Sequence, residues 1–568
     1  MDTNSIDQSI ATLQSKKTEW ARMAIADKRR LLAKARERTR IVADRWVAAA
    51  ARAKGLSPNT QPMGEEWLSG PWAFVALVNA LDDTLARLDP GIDVLAGYPI
   101  HTRADGRVAV RFSPADLTDR LLLLSLGIGG EVWMEPGIDA SDIPTAAFYR
   151  RSNPVGAVSL ILGAGNIASI PSNDLLYKLY NQGEVAALKF NPVNQYLGEF
   201  FEEIFAPFVD GGYVRFIYGG VDVGEYLTHH PGVETIHITG SDRTHDAIVF
   251  GRDATAAERK ARNDPVIDKP ISSELGGVCP TIVVPGPWTD ADIRFQAEHI
   301  ATQRLSNGGF NCLATQVLVL PEAWPHAGRL LDGIRQVIGE TTEREPYYPG
   351  AGDRHERALA AHPTAEILSG GHAPVTLIPD VDPTDTEDIC FTEEFFTATM
   401  ATTALPAPTT TAFLENAVEF SNTVLAGTLG ANLLIDPATL SANRGALDRA
   451  VADLRYGAVA VNSWIGATFA LPRATWGAFP GHTRTDIQSG VGTVHNALMF
   501  DQPERTVLWG NFRPAPRAWL SGDWHPAPKL PGLITHRRGA LVGERMTYQA
   551  IDRSLLGLVG VAAALYRP

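Results

Sequence analysis

Six short segments of the chain place reactive or polar side chains beside predicted strands and loops. Cys312 is the most reactive of these side chains, because a cysteine thiolate attacks a carbonyl carbon and leaves a thioester that water can cleave. Cys279 and Cys390 are the other cysteines, and of the three only Cys312 follows an Asn-Gly-Gly loop. The six segments are Leu162-Gly-Ala-Gly-Asn166, Ala187-Leu-Lys189, Ile238-Thr-Gly-Ser241, Glu274-Leu-Gly-Gly277, Asn307-Gly-Gly-Phe-Asn-Cys312 and Glu393-Glu-Phe-Phe396.

Other familiar chemistries are excluded by missing motifs and by composition. The chain has no GxxxxGK phosphate loop, HExxH zinc motif or GxSxG nucleophile elbow, and the glycines after Leu162 lack the third glycine of a GxGxxG fingerprint. With 50 Lys and Arg against 64 Asp and Glu, the net charge is −14, which argues against nucleic acid as a partner. Three cysteines without a CxxC pair predict neither a disulfide framework nor a metal site.

The elements around these segments predict an α/β protein. Buried-strand candidates at 155–162, 185–190, 214–218, 235–238 and 281–284 alternate with segments long enough for helices. A second α/β region follows from about 290 to 461, and short apolar runs at 107–112 and 131–134 suggest further strands. Residues 7–53 contain no Pro or Gly, and their apolar spacing predicts one long amphipathic helix.

In order and spacing, the six segments resemble the aldehyde dehydrogenase superfamily, whose NAD(P)-dependent members oxidise aldehydes through a cysteine thioester. The resemblance runs from about Pro154 to Asn496. It includes Val461-Asn-Ser-Trp464, Trp476-Gly-Ala-Phe479 and Ser489-Gly490, with a Trp where a Phe is more usual.

The resemblance implies a Rossmann-type cofactor domain, an α/β catalytic domain and a β oligomerisation arm. The expected domain parts are 1–105 (N-terminal helical part of the cofactor domain), 106–150 (arm strands), 151–285 (dinucleotide binding), 286–483 (catalytic) and 484–568 (C-terminal arm and extension). A homodimer or homotetramer is expected from the resemblance.

The resemblance also assigns roles to individual residues. Cys312 would be the nucleophile, Asn166 would hold the oxyanion together with the Cys312 backbone N–H, and Glu274 would activate water. Residues expected to bind NAD or NADP are Lys189 at the adenosine ribose, Thr239, Gly240 and Ser241 at the pyrophosphate, Glu394 at the nicotinamide ribose, and Phe396 beside it.

The chain departs from the family pattern at three positions and in one insertion. Pro192 stands where many NAD-preferring members have a glutamate, which leaves the choice between NAD and NADP open. His245 replaces a glycine, and Val278 replaces a lysine. A charged stretch at 252–269 is expected to alter access to the adenosine end.

The leading hypothesis is oxidation of an aldehyde to a carboxylic acid, because members that pass the acyl group to coenzyme A generally lack the glutamate at position 274. Alternatives are a coenzyme A-acylating dehydrogenase or reductase, a cofactor-free cysteine esterase, and a catalytically silent dinucleotide-binding homologue. Trp464, Phe469, Trp476 and Phe479 suggest an apolar or aromatic aldehyde, although aromatic residues near a chain turn are more often part of the core.

The N-terminus lacks the apolar segment of a signal peptide, and neither apolar run of note, 121–126 or 555–566, reaches the roughly 20 residues of a membrane span. We therefore expect a cytoplasmic protein without an integral membrane segment.

Overall fold

A computed structural model of the chain describes residues 3–58, 60–114, 128–513 and 531–565. The apolar run at 121–126 and most of the Pro-rich segment at 512–533 lie outside these residues. The α-helices are α1 (Thr3–Arg22), α2 (Ile25–Ala53), α3 (Met63–Trp67), α4 (Ala73–Leu88), α5 (Ile170–Leu176), α6 (Gly198–Ile204), α7 (Ala206–Asp210), α8 (Val221–His229), α9 (Asp242–Phe250), α10 (Ala256–Arg262), α11 (Asp290–Leu305), α12 (Ala327–Glu340), α13 (Ala351–Ala361), α14 (Ile389–Thr392), α15 (Thr410–Thr423), α16 (Pro437–Ala442), α17 (Arg444–Asp453), α18 (Gly466–Ala470), α19 (Gly539–Asp552) and α20 (Leu555–Leu565).

The strands form two large sheets and one small pair. They are β1 (Ile100–Thr102), β2 (Val108–Ser113), β3 (Gly129–Met134), β4 (Val158–Leu162), β5 (Val185–Lys189), β6 (Val214–Ile217), β7 (Thr235–Gly240), β8 (Ile271–Leu275), β9 (Cys279–Val283), β10 (Thr315–Pro321), β11 (Glu366–Ile367), β12 (Thr376–Ile378), β13 (Thr399–Leu405), β14 (Gly430–Leu434), β15 (Ala458–Val461), β16 (Thr475–Gly477), β17 (Gly490–Val491), β18 (Thr493–His495) and β19 (Pro503–Trp509).

The first sheet has six strands in the order β17-β8-β7-β4-β5-β6. All neighbouring pairs are parallel except β17 with β8. Chain direction across the sheet reverses between β4 and β7, because the chain runs outward through β5 and β6 and returns to β7. In such sheets a crevice opens at this reversal, beyond the carboxyl ends of the strands. The segments that begin at Gly163 and Gly240 therefore meet at one place.

The second sheet has eleven strands in the order β1-β2-β3-β19-β15-β14-β9-β10-β13-β12-β11. The strands predicted for a separate arm extend this sheet within the same chain, since β3 pairs with β19 and β19 pairs in parallel with β15. β9 also belongs here, so the expected boundary at residue 285 is wrong and the change of sheet falls between Leu275 and Cys279. β17 returns to the first sheet, which the assignment of 484–568 to an arm and extension did not foresee.

The predicted long N-terminal helix is two helices. The break falls at Ala24, whose ψ of 141° is extended and ends α1 before α2 begins. The two helices have different partners: α1 packs against strands β4 to β6, whereas α2 packs against α4 and α6. Tertiary packing therefore interrupts a pattern that local sequence would continue.

The last described residues form two helices, α19 and α20, which pack against each other and against α3 and the π-helical turn Leu68–Trp72. A search of the described residues finds no helix long and apolar enough to cross a membrane. The predicted cytoplasmic location and oligomeric state stay predictions.

Lys28 on α2 is a cation enclosed by aromatic rings. Its side chain is fully buried, and its ammonium lies 4.9 Å from the ring centroid of Trp20, 4.8 Å from that of Phe148 and 5.2 Å from that of Tyr149. The electrostatic attraction of the rings partly offsets the lost hydration of the ammonium group, but Nζ has no hydrogen-bond partner. Burial lowers the pKa of Lys28 to about 7.

We expect Lys28→Met to stabilise the protein near pH 7 and to lose this advantage at higher pH. The folded-state pKa lies below that of the unfolded chain, so the unfolded chain binds more protons above pH ~7 and wild-type stability rises with pH there. The wild type should gain roughly 2 kcal/mol relative to the variant between pH ~7 and pH ~9. Denaturation of both proteins at the two pH values measures this, and a difference independent of pH would contradict it.

Candidate active site

Two cavities meet at Cys312. The first, here called the sheet cleft, has a volume of about 1120 Å³ and lies beyond the carboxyl ends of β4, β5 and β7. The second, here called the apolar channel, has a volume of about 630 Å³ and is lined mostly by hydrophobic side chains. Cys312, Glu274 and Ile170 line both cavities. A group bound in the cleft and a group bound in the channel would therefore meet at the thiol and this carboxyl group.

The loop that carries Cys312 follows α11 and is anchored by a buried arginine. Arg304 donates hydrogen bonds to the carbonyl oxygens of Gly309 at 2.8 Å and Thr315 at 3.2 Å. Gly309 has a φ of +82°, and a Cβ there would lie 2.6 Å from the carbonyl oxygen of Thr397. Only glycine satisfies both the left-handed backbone and this close approach. The loop is therefore held from both sides before Cys312.

The side chain of Asn307 joins this loop to three other parts of the molecule. Its Nδ2 lies 3.1 Å from the carbonyl oxygen of Asn166, 3.0 Å from that of Phe310 and 2.9 Å from the Tyr347 hydroxyl. Its Oδ1 accepts a hydrogen bond from Lys54 at 2.9 Å. Asn307 has a φ of +53°, a conformation that Asn tolerates better than most residues.

Two buried glutamates of α3 complete this connection. Glu65 Oε2 accepts hydrogen bonds from the backbone N–H of Asn307 and from Arg344, each at 2.9 Å. Glu66 pairs with Lys54 at 2.7 Å, and both side chains of that pair are about 95% or more buried. Paired charges of this kind are costly to break, since removing one partner leaves the other unpaired in the interior.

Asn166 is buried beside Cys312's loop. Its Nδ2 donates to the carbonyl oxygen of Phe310 at 3.0 Å. A side-chain amide has two N–H donors, so the second remains available toward the sheet cleft, which Asn166 lines.

Cys312 itself is half-buried and faces both cavities. Burial, followed by the negative charges of Glu274 and Glu394, raises the pKa of the Cys312 thiol well above its ordinary value. The resting group is therefore the thiol, and its proton must pass to a base before it attacks.

Glu274 is the candidate general base of this site. It lies at the end of β8, is 3% exposed, and its Oε1 accepts a hydrogen bond from the indole N–H of Trp476 at 2.5 Å. Oε2 is buried without a partner. Burial, and then the carboxylate of Asp174, raise the pKa of Glu274 above its ordinary value, while the Trp476 hydrogen bond lowers it. This moves the protonation equilibrium toward neutral pH, where a general base is most effective.

The residues expected to bind the adenosine and pyrophosphate groups line the sheet cleft together. Lys189 ends β5, and burial lowers its pKa while Asp222 opposes the shift. Ser241 caps α9, its Oγ accepting the N–H of Thr244 at 3.2 Å, and Gly240 precedes it. Thr239 lines the cleft but donates its hydroxyl to Asp174 Oδ2 at 3.0 Å, which occupies this donor.

Glu394 and Phe396 form the opposite wall of the cleft. Glu394 packs against Gly276, where a Cβ would lie 2.1 Å from its Oε2. Burial raises the pKa of Glu394 to about 8 against the opposing charges of Arg304 and Arg354, and its Oε1 has no partner. Phe396 has a φ of +46°, and its ring centroid lies 5.0 Å from that of Tyr348.

The adenosine end of the cleft has a basic border. α10, which belongs to the charged stretch at 252–269, lines the cleft through Arg259 and Lys260, as does Pro192. Arg259 pairs with Asp253 and Lys260 with Asp246. The expectation that this stretch alters access to the adenosine end stays a prediction.

Comparison with known proteins shows a family resemblance in part of the chain. Residues 138–331 match the family model described as "Aldehyde dehydrogenase family". The matched residues contain Asn166, Lys189, Glu274 and Cys312, whereas Glu394 lies beyond them.

The fold of the whole chain is also that of solved aldehyde dehydrogenases. An NAD-dependent aldehyde dehydrogenase from Sinorhizobium meliloti superposes with a TM-score of 0.58 at 17% identity, over 91% of this chain and 89% of that one. An aldehyde dehydrogenase from Mycobacterium tuberculosis complexed with NAD+ gives 0.57 at 15% identity, over 90% of each chain. A mutant of aldehyde dehydrogenase C from Pseudomonas syringae, complexed with NAD+ and octanal, gives 0.54 at 18%, again over 90% of each.

All nine residues that the sequence analysis proposed for the site line the sheet cleft. The residues that support the Cys312 loop from behind were not predicted. The supporting residues are Lys54, Glu65, Glu66, Arg304, Arg344 and Tyr347, which come from distant segments without a motif. Trp476 was noted as part of the family pattern, but its hydrogen bond to Glu274 was not predicted.

We expect Gly276→Ala to weaken dinucleotide binding by about tenfold or more, because the added methyl group would displace the Glu394 side chain from the position in which it would bind the nicotinamide ribose. Titration of NAD and NADP against the purified protein measures this. Gly328→Ala is the matched control, since nothing lies within 4 Å of a Cβ at Gly328 on α12. Equal affinities for both variants would contradict the assigned contact.

We expect Trp476→Phe to raise the pKa of Glu274 by about one unit, since it removes a hydrogen bond to the charged form. A base works only when deprotonated, so turnover would be lost at a higher pH than in the wild type as the pH falls. The pH profile of the hydrolytic step measures this shift. An unchanged acidic limb with a lower plateau would show that Trp476 acts only through packing.

Proposed function

We propose that the protein oxidises an aldehyde to a carboxylic acid with NAD or NADP, through a thioester on Cys312. The observation that carries this proposal is that Cys312 and Glu274 line both cavities. A dinucleotide bound in the sheet cleft and a substrate bound in the apolar channel would therefore meet at these two groups. The match of residues 138–331 to the aldehyde dehydrogenase family model, and the shared fold with solved aldehyde dehydrogenases complexed with NAD+, support it.

The residues of the sheet cleft fit a dinucleotide. An unpartnered carboxylate oxygen of Glu394 suits ribose hydroxyls, and the N-terminus of α9 at Ser241 suits a pyrophosphate. Lys189 would bind the adenosine ribose. Pro192 offers no carboxylate to repel a 2′-phosphate, so the proposal includes both NAD and NADP. When bound, the nicotinamide supplies a hydride acceptor.

The chain's own groups perform the remaining steps. Cys312 loses its proton to Glu274 or to solvent, and its sulfur attacks the carbonyl carbon while the π electrons move to oxygen. The Asn166 amide and the Cys312 N–H stabilise this oxyanion. Loss of hydride from the carbon restores the carbonyl group as a thioester. Any proton that Glu274 took from Cys312 is first released to solvent. The Glu274 carboxylate then removes a proton from water, the water oxygen bonds to the carbonyl carbon, and the C–S bond breaks to release the acid and the Cys312 thiolate.

The test is reduction of NAD and NADP by an aldehyde panel, with and without coenzyme A, in the wild type and in three variants. We expect Cys312→Ala to abolish reduced-cofactor formation, and Cys390→Ala, whose cysteine lies outside both cavities, to retain it. We expect Glu274→Gln to keep a first turnover but to slow steady-state turnover by about a hundredfold or more, because the thioester would accumulate.

Two outcomes would contradict this proposal. Wild-type turnover that stops after one equivalent unless coenzyme A is present would favour the acylating alternative. Saturable dinucleotide binding without reduction by any aldehyde, with or without coenzyme A, would favour the silent homologue.

A further inference from the structure

The apolar channel extends from the catalytic residues to the C-terminal helices. Cys312 and Glu274 line it at one end, and Met546, Ala550, Leu555 and Leu565 of α19 and α20 line it as well. Leu555 is 56% exposed, so the channel reaches the protein surface at this residue. A compact substrate at Cys312 would leave the part of the channel beside α19 and α20 unfilled.

Hydrophobic side chains dominate the wall between these two ends. They include Trp464 and Phe469, two of the four aromatic residues noted in the sequence, whereas Trp476 and Phe479 lie outside the channel. Leu68, Trp72, Ile167, Ile170 and Leu313 are among the other hydrophobic residues of this wall. Burying apolar surface against such a wall is favourable, and a cavity of this size is typical of small-molecule sites.

Polar groups of the outer wall are paired with each other. Asp83 forms ion pairs with Arg553 at 2.7 Å and with Arg473 at 3.2 Å. Asn79 donates to the carbonyl oxygen of Ala550 at 2.8 Å and accepts from Arg36 at 3.0 Å. A polar substrate tail would have to compete with these partners, whereas an alkyl tail would not.

The helices α19 and α20 attach to the rest of the protein through their own small cluster. Val542, Met546, Val561, Ala564 and Leu565 form it, with Leu68 and Trp72 packed against it. The backbones meet closely at Gly64 and Gly539, where a Cβ on Gly64 would lie 2.5 Å from the Gly539 carbonyl carbon. These two helices are therefore fixed as one wall of the channel.

We propose that α19 and α20 form the outer wall of the substrate site and that the channel binds the extended alkyl tail of an aliphatic aldehyde whose carbonyl carbon lies at Cys312. This inference rests on the proposed function and adds the substrate class to it. Leu556 and Val559, 84% and 68% exposed on α20 near the channel mouth, extend the apolar surface that the tail first meets.

The test measures kcat/KM for acetaldehyde, butanal, hexanal, octanal and decanal with the full-length enzyme. We expect kcat/KM to rise by about fourfold for each added methylene group until the tail reaches the mouth, as expected when each methylene is buried. Ala550→Phe narrows the outer channel, so we expect the ratio of kcat/KM for decanal to that for butanal to fall by about tenfold or more.

Two further variants keep this test decisive. Ala563→Phe makes the same change at an exposed position of α20 that does not line the channel, and it should keep the wild-type ratio. Leu555→Ser changes an exposed residue, so it should fold normally, and it should raise KM for decanal but not for butanal. Thermal denaturation of each variant checks folding.

The outcomes separate this inference from the proposed function. Turnover of short aldehydes with no gain in kcat/KM from butanal to decanal would overturn the alkyl-tail site while leaving the proposed function intact. An equal effect of Ala550→Phe and Ala563→Phe on the ratio would overturn the role of the helices as the channel wall. Absence of turnover with every aldehyde would overturn both proposals.

Discussion

The geometry of the site depends on the side-chain amide of Asn307. Its contacts join the Cys312 loop to Asn166 of the first sheet and to Lys54 of the N-terminal helices. A buried hydrogen bond is strong in a low-dielectric interior and costly to leave unmade. The Cys312 loop and Asn166 are therefore positioned by one residue to which we assign no chemical step.

Burial has a second effect on the chemistry. It raises the pKa values of Cys312, Glu274 and Glu394, so that each group is held away from its charged form. The thiol needs a base before it can attack, and the raised pKa of Glu274 suits that base to neutral pH. The burial of these groups beside the two cavities therefore also adjusts their acidity.

The sequence allowed the α/β class and seven of the nineteen described strands to be predicted, and all nine proposed site residues, each in a short local segment, line the sheet cleft. It failed for β8, for the position of β9 in the second sheet, and for the break at Ala24. These features depend on which surface each segment packs against. The strand that carries Glu274 is short and polar at 272–274, so its period gave no strand signal.

Local sequence by itself determined the reactive groups of this protein: a thiol after Asn-Gly-Gly, a carboxyl group before Leu-Gly-Gly, and a glycine-serine turn at a helix start. Tertiary structure alone decided how they are supported and what they face. Lys54, Glu65, Arg344 and the C-terminal helices come from segments far apart in the chain, and no local pattern encodes their meeting. Their contacts arise only when burial of apolar surface brings the two sheets and the terminal helices together.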